Sequence, residues 1–233
     1  MRSLAVCLVT PSSTAARVKL PVRTTAAKRT MSEGEIITVK INLTKCQPRH
    51  GLSGHVSERI LTLMKLHHAP RSRSVRPRWL LEELGVPYEL VRRESAAEAP
   101  VLIDGDTTMT ESPAIVLYLA DRHPGLAPLP NSPARGDYLQ WLLFAEATLD
   151  PVVVGFLTNP NGPRDRLEEL LTVTEARVAN REYVVGDTFT AADIVLASIL
   201  HLANQLKLME SHPKLYDYTL RHAKRPAVRR ALS

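Results

Sequence analysis

Serine hydroxyls stand at the starts of two predicted helices, where they could stabilise a bound anion. Ser72 and Ser74 precede the first helix, and Ser112 follows Glu111 at the start of a later one. A helix N-terminus presents unpaired N–H groups and the positive end of the helix dipole, and a hydroxyl adds a further donor. Such a position lowers the pKa of a thiol or binds a carboxylate. Each serine could instead act only as an ordinary helix cap.

The spacing of the cysteines and histidines indicates neither dithiol redox chemistry nor a metal site. The two cysteines, Cys7 and Cys46, form no CxxC pair, which excludes dithiol exchange and a cysteine zinc site. The eight histidines contain no HExxH pattern. Their one tight pair, His67 and His68, falls at a strand end, where neighbouring side chains point to opposite faces. We therefore expect no metal site.

Charge and hydropathy argue against nucleic acid and membrane partners. Residues 1–58 contain nine lysines and arginines against three glutamates, and the rest of the chain is neutral. A nucleic-acid-binding protein should carry its basic patch on the folded part. No stretch approaches the roughly 18 unbroken apolar residues of a spanning helix. We expect neither a nucleic acid partner nor a membrane span.

The basic N-terminal segment is predicted to be a leader. Residues 1–32 are rich in serine, threonine and alanine and lack acidic residues. This composition is typical of an organelle transit peptide, although a disordered tail would look similar. We therefore predict a leader over residues 1–58 and a cytoplasmic protein. Mitochondrion or plastid is the alternative if residues 1–30 direct import.

Hydrophobic spacing predicts an α/β half with a β-α-β unit, a hairpin and a helix. Gly85 and Pro87 end the first helix, and Ser112 with Pro113 starts the next as N-cap and first helical residue. The predicted elements are a strand at Ile60–Leu66, a helix at Ser74–Leu84, a strand at Tyr88–Arg92, two short strands around Gly105-Asp106, and a helix from Ser112 to about Arg122.

After a linker at residues 124–133 the pattern is helical throughout. The predicted helices are Ala134–Leu149, Arg164–Asn180, Ile194–Leu206 and Lys214–Lys224. Thr190 and Asp193 form a capping-box-like start for the third of them. The fold class is therefore α/β plus all-α.

Four motifs, in this order, resemble glutathione transferases. They are His68-Ala-Pro-Arg-Ser-Arg-Ser-Val-Arg followed by Trp79-Leu-Leu-Glu-Glu-Leu-Gly, then Ala99-Pro-Val-Leu-Ile-Asp with Thr110-Glu-Ser, then Phe189-Thr-Ala-Ala-Asp-Ile, and last Arg225-Pro-Ala. The first resembles bacterial and fungal members with an SRS…WLLEELG helix. The resemblance implies a thioredoxin-like domain at residues 59–123 and a helical transferase-type domain at 132–233.

The resemblance also implies an activity and partners. Glutathione would be the co-substrate, and its thiolate, the nucleophilic form, would attack an apolar electrophile. Family members are usually two-fold dimers, which implies a homodimer. Two other functions stay open, a non-catalytic docking or dimerisation module and a glutathione-dependent peroxidase.

Site residues are carried over from the family motifs. By its offset to Arg76, Ser72 matches the family's catalytic serine, and Ser74 is the alternative because it could cap the helix. The turn at Glu111-Ser112 matches the one that binds the γ-glutamyl end of glutathione.

The cis-proline strand carries the other predicted contact. A cis bond before Pro100 would turn the backbone of Val101 toward the cysteinyl part of glutathione. This expectation rests on the family, since cis bonds are uncommon even before proline.

One segment departs from the family pattern. The family has a helix and a loop between its second strand and its cis-proline strand, whereas this chain has only residues 93–99. The missing piece would contribute contacts to the glycine end of glutathione. Either the helix is lost or the coding sequence is mis-assembled. We predict a sheet that still forms, with weak glutathione binding.

Overall fold

The structure, a computed structural model, describes residues 63–233. The predicted leader and residues 60–62 of the first predicted strand lie outside the described residues. Within this range the strands are Met64–His68 (β1), Tyr88–Arg92 (β2), Val101–Asp104 (β3) and Thr107–Thr110 (β4). The helices are Val75–Leu84 (α1), Ser112–Arg122 (α2), Ala134–Leu143 (α3), Asp150–Thr158 (α4), Asp165–Val178 (α5), Ala191–Gln205 (α6), Pro213–Ala223 (α7) and Pro226–Leu232 (α8).

The four strands form one mixed sheet in the order β2-β1-β3-β4. β1 and β2 are parallel, while β3 is antiparallel to both β1 and β4. The prediction that the sheet forms despite its short crossover is confirmed. Residues 93–99 make the connection from the edge strand past β1, with a single 3-10 turn at Ala96–Glu98.

The first helix packs its apolar side on the sheet and on the helical half. Trp79, Leu80 and Leu81 are buried, and Leu80 and Leu81 are fully so. Burying a leucine side chain stabilises the fold by about 1.5–3 kcal/mol relative to exposing it. The helix ends at Gly85, whose φ of +64° lies in the left-handed region that glycine adopts without a steric penalty.

One predicted helix end was wrong and one helix was missed, both near prolines. The helix predicted to stop at Leu149 continues to Thr158, because a π-helical stretch at Phe144–Leu149 precedes Pro151. The ladder already departs from its regular pattern there, so the absent proline N–H costs little. The helix α8 after Arg225 was missed, although proline suits the first helical position.

The predicted cap of α2 is shifted by one residue. Ser112 is the first helical residue, and Glu111 occupies the cap position with φ +66° and ψ +115°. Positive φ is uncommon for a residue with a side chain. The turn is therefore held by its surroundings rather than by the preference of Glu111.

The continuous helix from Ala134 to Thr158 is long and apolar enough, by length and composition alone, to cross a membrane. Many of its apolar side chains nevertheless belong to the protein's core, while Leu143 and Leu157 are exposed. Buried members include Tyr138, Trp141, Leu142, Ala145, Leu149, Val153 and Phe156. We therefore interpret it as a core helix of the helical half.

Candidate functional site

Strand register brings the predicted site segments to one edge of the sheet. Val101 pairs with His67 on one side and with Thr110 on the other. Neighbouring strands lie about 4.8 Å apart. The start of β3 therefore lies between the β1–α1 loop and the turn that opens α2. The Ala99–Pro100 bond at this point is cis, as the resemblance implies.

Ser72 lies in the loop before α1 with its hydroxyl half-buried. Its Oγ donates to the carbonyl of Ala69 at 2.8 Å and accepts from the backbone N–H of Ser74 at 3.2 Å. The helix begins at Val75, so Ser72 stands just before the first turn. A hydroxyl at this place can turn toward a ligand without moving the backbone.

Ser74 differs from Ser72 in being completely buried. Its Oγ lies 2.8 Å from Nδ1 of His68 and contacts Oγ of Ser72 at 2.6 Å. It also accepts from the N–H of Ala69 and can donate to the carbonyl of Ala69, both at 3.1 Å. These partners all belong to the end of β1 and to the loop that follows it. Ser74 therefore fixes the loop, and its side chain is used inside the fold.

His68 is buried and electrically neutral at physiological pH. Burial, followed by the positive charge of Arg78, lowers the pKa of His68 from its usual 6.5 to about 4. A neutral imidazole carries one ring proton, so Nδ1 can donate or accept toward Ser74.

Ser112 and Glu111 lie at the start of α2 in different environments. Ser112 is buried, and its Oγ lies 3.4 Å from Oε1 of Glu146, whereas Glu111 is exposed. The helix start at Ser112 presents backbone N–H groups to a carboxylate. Because the side chain of Glu111 is exposed, its carboxylate can face the cationic group of a ligand.

A buried ion network links this turn to α1, and the sequence reasoning missed it. Arg76 donates through Nη1 to Glu146 at 2.6 Å and through Nη2 to Asp150 at 2.5 Å. Arg73 donates through Nε to the other oxygen of Asp150 at 2.9 Å. Nε of Arg76 also bonds Ser198 of α6. The network therefore joins the α/β half to the helical half beneath the predicted site.

The sequence indicated this network only through charged residues that stand on otherwise apolar helix faces. Arg76 lies on the buried side of α1, and Glu146 and Asp150 fall among apolar residues of the long helix. A charge on an apolar helix face requires a partner, because an unpaired buried charge is costly. Which partner it meets depends on how the two halves pack, and periodicity does not report that.

A basic cleft lies where β2 ends and the short crossover begins. A cavity of about 470 Å³ is lined by Pro70, Arg71, Arg92, Arg93 and Glu94. Arg93 lies 3.3 Å from Nδ1 of His67 through Nη2 and 4.0 Å from the carboxylate of Glu98 through Nε. Three guanidinium groups around one cavity favour an anion.

No group of three or more metal-ligating side chains comes together within residues 63–233. The arrangement at the sheet edge is one of hydroxyls, helix starts and guanidinium groups. It can bind an anionic ligand and favour a thiolate.

Comparison with known proteins agrees with this arrangement. Residues 66–127 match the model of the glutathione S-transferase N-terminal domain, and residues 163–226 match that of the C-terminal domain. The chain is 31% identical over 200 residues to glutathione S-transferase GstA of Escherichia coli O157:H7, a match covering 73% of this chain and 98% of that protein.

Solved structures give the same result. A glutathione transferase from Methylococcus capsulatus superposes with a TM-score of 0.64 at 29% identity, covering 73% of this chain and 97% of its own. A sphingomonad glutathione S-transferase complexed with glutathione gives a TM-score of 0.63 at 29% identity, covering 72% and 96%.

A thioredoxin-like sheet followed by a helical half defines the class of protein, and the predicted fold class is confirmed. The chain belongs to the glutathione S-transferase family. Membership gives it a glutathione transferase-like function with glutathione as co-substrate, as the motifs predict. The family is typically dimeric.

Proposed function

We propose that this protein activates the thiol of glutathione at Ser72 and conjugates it to an apolar electrophile. The observation that supports this most directly is the contrast between the two candidate serines. Ser74 is completely buried, whereas Ser72 is half-buried and its Oγ reaches only the carbonyl of Ala69 and the Oγ of Ser74 as possible acceptors. Ser72 is therefore the serine that can donate to a bound sulfur.

The γ-glutamyl end of glutathione would bind at the start of α2. The helix N-terminus at Ser112 suits the carboxylate, and the exposed Glu111 suits the ammonium group. The unusual backbone of Glu111 supports a functional role, since such conformations cost about 1–3 kcal/mol and occur mostly at functional sites.

The cysteinyl part would lie along the start of β3. Val101 directly follows Pro100, whose bond to Ala99 is cis, and is only partly buried. Val101 already pairs with His67 and Thr110, so the peptide would lie along the end of the strand that precedes this pair. This position lies beside the loop that carries Ser72, which brings sulfur and hydroxyl together.

The same proposal includes the electrophile, the oligomeric state and the cellular location. The electrophile would be apolar and would bind against the helical half. The protein would act as a homodimer, which light scattering at micromolar concentration would test against the 25.9 kDa of one chain. A cytoplasmic location is proposed in line with the bacterial relatives.

Turnover with a standard electrophile tests the assignment of Ser72. The Ser72→Ala variant should lose about 10–100-fold in kcat/KM, because a hydrogen bond to a charged group contributes about 1.5–3 kcal/mol. Ser132→Ala is the matched control, since its hydroxyl also accepts from the N–H two residues on, at 3.3 Å. Equal activity of the two variants would reject the assignment.

A non-catalytic docking module is the second candidate. The shortened crossover favours it, since residues 93–99 lack the helix that the family uses near the glycine end. Retention of the purified protein on immobilised glutathione separates the two functions. A protein that is not retained and has no turnover would fit the docking module.

A further inference from the structure

Three polar side chains form a continuous chain of contacts from the core to the predicted catalytic hydroxyl. Nδ1 of the buried His68 lies 2.8 Å from Oγ of Ser74, and that oxygen lies 2.6 Å from Oγ of Ser72. His68 and Ser74 are both buried, and Ser72 is the member of the three that is partly exposed. The contacts therefore run outward and end at the site.

Counting the hydrogen-bond donors and acceptors of these three side chains shows which way each proton can point. Oγ of Ser74 accepts from the N–H of Ala69 at 3.1 Å, and Oγ of Ser72 accepts from the N–H of Ser74 at 3.2 Å. If Nδ1 of His68 carries the ring proton, it fills the second lone pair of Ser74. The Ser74 proton then has two possible acceptors, Oγ of Ser72 at 2.6 Å and the carbonyl of Ala69 at 3.1 Å. The shorter contact favours Ser72, whose two lone pairs are then both filled.

In that arrangement Ser72 has one free function, which is to donate. Its proton rests on the carbonyl of Ala69 at 2.8 Å and can rotate to a ligand. With the opposite tautomer, Ser74 would donate to His68, and its Oγ, 2.6 Å away, would become an acceptor that competes with a ligand for the Ser72 proton. Ser72 would then offer a bare lone pair, which repels a thiolate.

We propose that His68 and Ser74 are positioning residues, which hold Ser72 as a hydrogen-bond donor toward the sulfur of glutathione. This inference rests on the proposed function of Ser72. Each hydrogen bond in such a chain polarises the next, so the terminal hydroxyl donates more strongly than an isolated serine.

As a donor relay, His68, Ser74 and Ser72 together donate a hydrogen bond to the sulfur of glutathione and do not act as a base that removes the thiol proton. A base would have to take the thiol proton inward, leaving His68 charged in a buried position next to Arg78. The lowered pKa of His68, about 4, opposes that charge. The thiol proton therefore leaves to solvent, and the sulfur keeps its electron pair.

The test measures the pKa of the thiol in the complex of the full-length chain with glutathione. At saturating glutathione, the pH profile of kcat with a standard electrophile reports this value. For the unchanged protein it should lie below the ordinary thiol pKa of about 8.5. Ser72→Ala should raise it, and Ser132→Ala should leave it unchanged.

The relay itself is tested by changes at its two inner members. Ser74→Ala and His68→Leu should each raise the thiol pKa by about one unit, a tenfold change in proton affinity. Ser74→Cys keeps the buried volume with a weaker donor and should shift it in the same direction. His68→Asn supplies an amide N–H near the position of Nδ1 and should restore the original value.

Controls separate the relay from a general effect of mutation. His123→Leu removes another half-buried histidine whose pKa burial lowers, and it should not change the thiol pKa. If Ser72→Ala raises the pKa while Ser74→Cys and His68→Leu do not, the relay is wrong and the proposed function stands. If the unchanged protein does not lower the thiol pKa, both are wrong.

Discussion

The two ends of the predicted glutathione site are constructed in different ways. At the γ-glutamyl end, the start of α2 rests on Glu146, which Arg76 holds in a buried network reaching Asp150. At the glycine end, residues 93–99 form a short connection beside an open cleft with three arginines. One end is pre-organised by the packing of the two halves, and the other depends on solvated side chains.

The difference predicts unequal contributions to binding and stability. Buried ion pairs lose strongly when one partner is removed, because a charge is left unpaired in the core. Exposed pairs contribute little, since solvent and salt screen them. Changes in the buried network beneath the γ-glutamyl end should therefore alter folding, whereas changes at the glycine end should alter binding alone.

The largest effect is expected from Arg76→Leu. This change leaves Glu146 without its guanidinium and Asp150 with only Arg73, so the free energy of unfolding should fall by about 3–5 kcal/mol. Urea denaturation measures it. Arg166→Leu is the control, because the pair of Arg166 with Glu169 is exposed on both sides. Similar losses of unfolding free energy in both variants would show that the buried network stabilises the fold no more than an exposed ion pair does.

The affinity for glutathione tests the glycine end. Losing one or two charge-assisted hydrogen bonds, at about 1.5–3 kcal/mol each, weakens binding by roughly tenfold or more. We therefore expect a Kd in the millimolar range, measured by calorimetric titration. Micromolar binding would contradict this and would indicate that the arginines of the cleft have replaced the missing helix. Arg93→Gln would then weaken it severalfold.

A smaller effect should distinguish the two ends within the bound complex. Glu111→Gln removes the predicted partner of the ligand's ammonium group and should weaken glutathione binding by up to about tenfold. Glu94→Gln changes an exposed carboxylate at the other end, beside the basic cleft, and should leave binding unchanged or slightly stronger. Competition against turnover measures both. A greater loss for Glu94→Gln would reverse the proposed orientation of glutathione.

The same contrast explains which features could be predicted from the sequence. The strand at Tyr88–Arg92 and the capping box at Thr190 and Asp193 depend on neighbouring residues, and both were predicted correctly. The motifs that named Ser72 and Glu111 are also local. The partnership of Arg76 with Glu146 spans 70 residues and arises only when the two halves pack. Local patterns carry no information on such a pairing.

The smallest effect concerns an ion cluster remote from the site, and it tests whether burial gives the network its strength. His212 lies 2.9 Å from a carboxylate oxygen of Glu168 and 3.1 Å from one of Glu175. Burial alone would lower the pKa of His212, but the hydrogen bonds and charges of both glutamates outweigh it and raise the pKa. The carboxylates are partly exposed, so we expect less than about 1 kcal/mol of stabilisation.

The sign of its pH dependence follows from the raised pKa. The folded protein binds the His212 proton more tightly than the unfolded chain does, so the stabilisation is complete below the ordinary pKa of 6.5. The stabilisation is lost as the pH rises through the pKa that His212 has in the folded protein. The difference in unfolding free energy between the unchanged protein and His212→Gln should therefore shrink from pH 6 to pH 8. A difference above about 3 kcal/mol, equal to that of Arg76→Leu, would mean that charge number rather than burial determines the strength of both clusters.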